Sequence, residues 1–519
     1  MKKFNYFAMG LLAAATVSFS ACSSDDINST TNQDVDGMYM TLSVVGSSSN
    51  GTRTYGTSTE NGTTEESTIG NGTVYLYEGN TCVFKKTLTS SDWSSTPSDN
   101  TAGKTKPIKV AVTSVKTGTK YKVYFMANKT ATDYADPMAS SAAFTASTTG
   151  GSDYAKDNLF VMFNQNDYNN KITDAPTVEF TTNNKTEDTA ATTSADIKLD
   201  RVVARIDKPT ITATNVTNSS ATKNVTEMFQ SITLTKYAVS NLNNNSYIVQ
   251  NWDSSSRSDY ASSTLSAYIT GKTPYYKAYS EFGDKYKELG FTSTNTLFYN
   301  WTSEGNNKDY CFENTVEATD VNNATALYFA IKANLNENAS TGADFSDGTF
   351  YRYDGKLYTK ISDIYTDVTT NGSTNPFVVN NIAYDANIVL GWIKNTDGTL
   401  VAEGGTLNGV TGDGVDAGIK DKTLSWFREN FSIQVYRAGI MYYRWAITDN
   451  NYDTESNGTY NHYSVLRNSI YRLNVSSINE VGKDVPNGPS EDEITPNYYM
   501  TVNVSINPWV LNTKSITLK

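Results

Sequence analysis

Residues able to do chemistry are few in this sequence and far apart. His462 is the only histidine, so a cluster of histidines around a metal is excluded, and a nucleophile–histidine–acid triad would have this one residue to use. The acid pairs Glu65-Glu66 and Glu491-Asp492 lie in polar stretches with no flanking structure to raise a carboxyl pKa. Carboxylates are plentiful, but nothing singles out two of them as a glycosidase pair. Asn395-Thr396-Asp397-Gly398 and Gly412-Asp413-Gly414-Val415-Asp416 carry fragments of a calcium loop without its ligand spacing or closing glutamate, and read as turns. No glycine-rich loop follows a strand and opens a helix, which argues against a nucleotide cofactor. The expectation is therefore no catalytic residue, no cofactor, no metal and no enzymatic turnover. The chemistry that remains is covalent processing. Lys2 and Lys3, the apolar run 8–21 and the small residues Ser20 and Ala21 make a secretory signal, which Cys22 follows directly. The run is too short to span a bilayer, which needs about 20 apolar residues.

The elements that position these residues are read as strands. Thirty-five tyrosines with many Thr, Val and Asn suit pleated, half-buried surfaces, while Asn, Gly, Ser and Asp supply turns. No segment shows sustained helical periodicity with caps; the best short helical candidates are 258–268 and 284–290. With 519 residues the chain has room for two or three domains of roughly 100 to 200 residues each. A net charge of −12 and a pI near 4.8 argue against nucleic acid as a partner, because phosphate binding needs a basic surface. After Cys22 only Cys82 and Cys311 remain. They are read as buried small apolar residues, with a single disulfide as the alternative.

Residues 22–37 form a polar tether. In 38–45, Met38, Met40, Leu42 and Val44 alternate with Tyr39, Thr41 and Ser43, the pattern of a half-buried strand. A stretch rich in Gly, Ser, Thr and Asn follows, 46–73, and it holds Arg53, the first arginine of the chain; the next is Arg201. Segments 73–77 and 82–88 read as a hairpin across Glu78-Gly79-Asn80, and 108–112, 121–126, 178–181 and 197–206 continue the β pattern. Polar residues 213–224 suggest a boundary. A second β-rich unit runs from Met228 to the end, with long turn-rich insertions at 253–308 and 395–421. Its last part alternates cleanly over 498–506, is interrupted by Pro508-Trp509, and resumes as 510–519 with Val510, Ile516 and Leu518 on one parity and Leu511 on the other.

Several of these pieces together carry a resemblance. Phe19-Ser20-Ala21-Cys22 is similar to a bacterial lipobox, and Ser23-Ser24-Asp25-Asp26 to the acidic tract that sends Bacteroidetes lipoproteins to the cell surface. Together with Ile197-Lys198-Leu199-Asp200-Arg201-Val202-Val203-Ala204-Arg205-Ile206, Tyr442-Tyr443-Arg444-Trp445, Val465-Leu466-Arg467-Asn468-Ser469-Ile470-Tyr471-Arg472-Leu473 and Asn507-Pro508-Trp509, they resemble the fimbrillins of Bacteroidetes type V pili, above all the stalk subunit of the short, Mfa-type fimbriae. The resemblance implies an all-β chain of two β-sandwich (transthyretin-like, Greek-key) domains in tandem. Its divisions would be a signal peptide 1–21, a lipidated propeptide 22–53 including the first strand, an N-terminal sandwich 54–215 and a C-terminal sandwich 216–519. It implies lipidation at Cys22, a cut between Arg53 and Thr54 by an arginine-specific surface protease, and release of the strand bearing Met38, Met40, Leu42 and Val44. The donor strand 510–519 of a neighbouring copy, with Val510, Leu511, Ile516 and Leu518, would then fill the groove. Implied partners are other copies of the chain, anchor and tip fimbrillins and the protease, and the implied location is the outer-membrane surface followed by an extracellular fimbria serving adhesion and biofilm formation. Competing readings are a tip or anchor fimbrillin, and a surface glycan-binding lipoprotein using tyrosines as sugar platforms.

Overall fold

The computed structural model describes residues 37–46, 60–89, 92, 108–138, 143–145, 154–165, 175–217, 222–240, 245–248, 308–315, 324–372, 374–409, 417–447, 464–485 and 500–510. Cys22, Arg53, Thr54, His462, Glu491-Asp492, Leu511, Ile516, Leu518, Gly412 to Asp416 and the helical candidates 258–268 and 284–290 lie outside these residues.

The alternating segment at the start becomes two short strands, β1 (Met38–Leu42) and β2 (Val44–Gly46), which enter different sheets. After β3 (Glu60–Asn61) comes a one-turn helix, α1 (Thr64–Ser67), closed by a capping box in which Thr63 and Glu66 satisfy each other's backbone N–H groups. The predicted hairpin is present as β4 (Gly72–Glu78) and β5 (Thr81–Leu88), with Gly79 at φ +63° in the turn. The strands that follow are β6 (Ile108–Val112), β7 (Lys120–Ala127), β8 (Ala143–Thr145), β9 (Met162–Asn164), β10 (Thr177–Glu179), β11 (Ala191–Thr192) and β12 (Ile197–Arg201). One sheet has the order β11-β1-β6 and the other β2-β12-β9-β7-β4-β5, with β10 beside β7. Both sheets face one apolar core.

The segment read as one strand over 197–206 is two. Val202 and Val203, both fully buried, carry the chain from β12 into β13 (Ala204–Asp207), which belongs to another sheet. Ala204 and Ile206 lie in a second core, so the change of core falls upstream of the polar stretch 213–224. The strands of this unit are β13, β14 (Thr210–Ile211), β15 (Phe229–Ser240), β17 (Lys308–Cys311), β19 (Ala326–Leu335), β25 (Ile440–Ala446), β27 (Ser469–Ile478) and β28 (Met500–Val510), in sheets of order β17-β13-β27-β28-β3, with β14 beside β27, and β15-β19-β25. β16 (Asn245–Tyr247) pairs with β8, and β18 (Asn314–Thr315) with β26 (Ser464–Val465).

A third core sits in an insertion between β19 and β25. It is covered by β20 (Phe350–Tyr353), β21 (Lys356–Tyr358), β24 (Gln434–Tyr436), the hairpin β22 (Val378–Val379) and β23 (Ile382–Ala383), and helices Ile361–Thr370, Ala386–Ile393 and Leu424–Phe431. These helices correct the expectation that no capped helical segment exists. Ile361, Ile364 and the half-buried Val368 share one face of the first, and the Asp385 carboxylate caps the second by accepting from the Asn387 N–H at 2.7 Å. β-branched Thr and Val mask the period in a propensity reading. Cys82 and Cys311 are buried free thiols.

The break expected at Pro508 is also corrected. β28 runs through it: Pro508 pairs with Ser469 at the end of the β27 ladder, where its missing N–H costs least, and Trp509 and Val510 continue beside Glu60 and Asn61 of β3 in parallel register.

Candidate functional site

β1 is an inner strand of its sheet, which follows from its register. It pairs antiparallel with β6 along its whole length, with Met38 opposite Val112, Met40 opposite Val110 and Leu42 opposite Ile108, and on its other edge Met40 lies opposite Ala191 of β11. All of these side chains are buried. Outward, Tyr39 and Thr41 are half-buried and stand opposite Ala111 and Lys109. Burying Met38, Met40, Leu42 and Val44 contributes roughly 1.5 to 3 kcal/mol each. The Tyr39 N–H donates to the Asn184 carbonyl at 2.8 Å, and the Thr193 N–H to the Thr41 carbonyl at 3.2 Å.

At Ser43 the segment changes sheets. The Ile197 N–H donates to the Ser43 carbonyl at 2.8 Å, and Val44 then lies opposite Ile197 as β2 runs parallel to β12. One short segment therefore completes both sheets of the first core. Without it, β6 and β11 would face each other across a slot lined by Ile108, Val110, Val112 and Ala191, with an unpaired edge on each wall and the edge of β12 beyond. That is the geometry of an acceptor for an extended, alternating apolar strand. Of the four apolar residues picked out by the alternation, Met38, Met40 and Leu42 share the buried face of β1, and Val44 enters the same core from β2. Of the expected donor, Val510 ends β28.

A second constellation, which the sequence did not single out, joins the two cores. Glu66, expected in a featureless polar loop, is fully buried on α1. Its carboxylate accepts from Lys308 Nζ at 2.5 Å and Tyr310 OH at 2.7 Å, from the Thr63 N–H at 2.8 Å and from Arg205 at 3.4 Å. Burial alone would raise its pKa, but these donors together hold it at about 2, against an ordinary 4.5. Arg201 is also buried; it donates to the Glu66 carbonyl at 2.9 Å, to Ser67 Oγ at 3.2 Å and to Asn468 Oδ1 at 3.3 Å, and burial lowers its pKa to about 9. Asn468 completes the network through its side-chain N–H donated to Asp200 at 2.8 Å and its backbone N–H donated to the Val203 carbonyl at 2.8 Å. Nearby, Arg467 pairs with the buried Glu313, its Nε 2.7 Å from Oε1. Phe312 and Ile470, from the second unit, pack into the first core.

The runs 197–206 and 465–473 thus meet at this junction. Glu66 reads as one of a pair of loop acids in the sequence because its partners Arg205, Lys308 and Tyr310 are remote from it. Among the described residues, no group of three or more His, Cys, Asp or Glu side chains is placed to hold a metal ion. Asn395 to Gly398 form a turn in which Asp397 accepts from Thr399.

Comparison with known families places two matches on this architecture. The model of the major fimbrial subunit protein (FimA) matches residues 38–201, from the first residue of β1 to the last of β12, and that of the major fimbrial subunit protein type IV, fimbrillin, C-terminal, matches residues 434–515. No curated protein matches the chain. Among solved structures, the fimbrilin (FimA) of Porphyromonas gingivalis W83 is 13% identical, with 91% of this chain and 98% of that one covered at a TM-score of 0.39. The tip fimbrial protein Mfa3 of Porphyromonas gingivalis is 12% identical, with 91% and 100% covered at a TM-score of 0.32.

Proposed function

We propose, for a chain that is a fimbrillin and so a non-enzymatic fimbrial subunit of the adhesive type, that it is the stalk subunit of its fimbria and polymerises by strand exchange at the β1 groove. In this reading the precursor is exported as a lipoprotein anchored through Cys22. An arginine-specific protease cuts between Arg53 and Thr54, β1 and β2 leave with the lipid, and residues 510–519 of the next copy take their place. The observation that carries the reading is that β1 is inserted between two strands with its whole apolar face buried, and precedes Arg53 in the chain. The contact is head-to-tail and need not close on itself, so repetition builds a filament. An arginine downstream of β1 and β2, together with residues beyond Trp509, favours a stalk role over a tip or an anchor. The test is electron microscopy of precursor treated with an arginine-specific protease. Wild type is expected to form filaments whose subunits begin at Thr54, and Arg53→Ala to remain monomeric; filaments of the Arg53→Ala protein would refute the scheme.

A further inference from the structure

At the boundary between the second and third cores lies a cleft of about 600 Å³, within the roughly 300 to 1,000 Å³ of small-ligand sites. Its walls are the short helices Val225–Met228 and Glu337–Ser340 on the side of the second core, and β21 with helix Ile361–Thr370 on the side of the third. Side chains bolt these walls together. Asn224 accepts from the Leu357 N–H at 2.8 Å and donates to the Leu357 carbonyl at 2.9 Å, which ties the first helix to β21. Asn336 donates to the Glu227 carbonyl at 2.6 Å and caps the second helix by accepting from the Ala339 N–H at 2.8 Å. The Asp367 carboxylate accepts from Lys356 Nζ at 2.8 Å and from Tyr358 OH at 2.6 Å, which ties the third helix to β21. The cleft is therefore formed before any ligand arrives, and binding need not order it.

Other side chains reach the same space with their hydrogen-bonding groups unengaged. Glu227, Asn338, Lys360, Asp363 and Thr370 line the cleft and make no side-chain hydrogen bond or ion pair among the described residues. Aliphatic lining is confined to Met228, Ala339 and Leu357. The Tyr358 ring offers little more, because its hydroxyl is held by Asp367 and the Lys356 ammonium sits 5.3 Å from its centroid. A ligand here gains little from apolar burial and must be held by hydrogen bonds. Charge narrows its class further. Two unpaired carboxylates repel phosphate, sulfate and carboxylate groups, and the unpaired Lys360 ammonium between two walls repels cationic peptides. What fits is a neutral molecule dense in hydroxyls: each carboxylate can accept from two neighbouring hydroxyls, while the Asn338 amide and Lys360 ammonium donate to sugar oxygens.

We propose that this cleft binds neutral carbohydrate, one sugar unit of a surface glycan entering between the four walls. The site gives the adhesive class of subunit a ligand. It stands whether or not subunits join at the β1 groove, because none of its residues belongs to the first core. Repeated along a filament, a weak single site gains by avidity.

The test is binding of the full-length, uncut chain to an array of neutral, sialylated and sulfated oligosaccharides, with oligolysine as the cationic probe. Because the chain is uncut, failure of strand exchange leaves the result untouched. Saturable binding to a neutral glycan is expected. Asp363→Asn and Glu227→Gln should each weaken it roughly tenfold, as loss of one charged hydrogen-bond acceptor implies. Glu179→Gln, on the exposed side of β10, should leave it unchanged. Glu227 and Asp363 are exposed, so both variants are expected to fold; Asn338→Ala replaces either that does not. Binding only to sialylated or sulfated glycans or to oligolysine, binding to no probe, or neutral-glycan binding indifferent to the cleft substitutions would each overturn the site.

Discussion

The groove around β1 and the junction around Glu66 are held by opposite kinds of interaction. β1 and β2 are secured by backbone ladders and by Met38, Met40, Leu42 and Val44 against apolar partners, none of which demands a particular geometry from the side chain it meets. The junction is secured by the buried charges of Glu66, Arg201 and Asp200, each placed within hydrogen-bond distance of Lys308 or Asn468 on the other unit. An apolar ladder accepts any extended strand of the right alternation. A buried ionic network accepts only the residues it was built with, since removing one member leaves the others charged and desolvated. Under the proposed strand exchange, a subunit that gives up one strand while keeping its two units in fixed relation needs both.

The largest effect is expected at the junction. Glu66→Ala leaves Arg205, Lys308 and Tyr310 with a partner missing, and should lower unfolding stability by about 3–5 kcal/mol, equally before and after cleavage. Chemical denaturation of both forms checks this. In the groove, Leu42→Ala should cost the precursor about 2–5 kcal/mol and cost the cleaved, polymerised protein nothing, because the strand is gone. Equal losses in both forms would break the contrast between the two regions.

Acid probes the junction more gently. The folded pKa of Glu66, about 2, lies below its ordinary 4.5, so the carboxylate stabilises the fold fully above pH 4.5 and less as the pH falls toward 2. The advantage of wild type over Glu66→Gln is expected to shrink across that window by on the order of 2 kcal/mol. The smallest effect belongs to the outward face of β1, where Thr41→Ser should stay within about 0.5 kcal/mol in the precursor, as measured by its denaturation midpoint.

Local periodicity made β1, the β4–β5 hairpin and β6 legible, because a half-buried strand writes its burial into alternate residues. The expected break at Pro508 failed for a tertiary reason: at the end of the β27 ladder a proline forfeits little, and β3 carries the strand onward. Helix Ile361–Thr370 was hidden by its threonines, which lower propensity without spoiling the apolar face that packs on the third core. Glu66 was illegible for a different reason. Within its own stretch only the Thr63-x-x-Glu66 capping spacing distinguishes it from Glu65, and its charged partners come from residues that fold against it.

The most direct test of strand exchange is binding of a labelled 510–519 peptide to protein cut after Arg53 and ended at Trp509. The account predicts saturable binding that a peptide of residues 38–46 displaces, since both would occupy the slot between β6 and β11. If the 510–519 peptide does not bind while full-length cleaved protein still forms filaments, the groove is not where the subunits join.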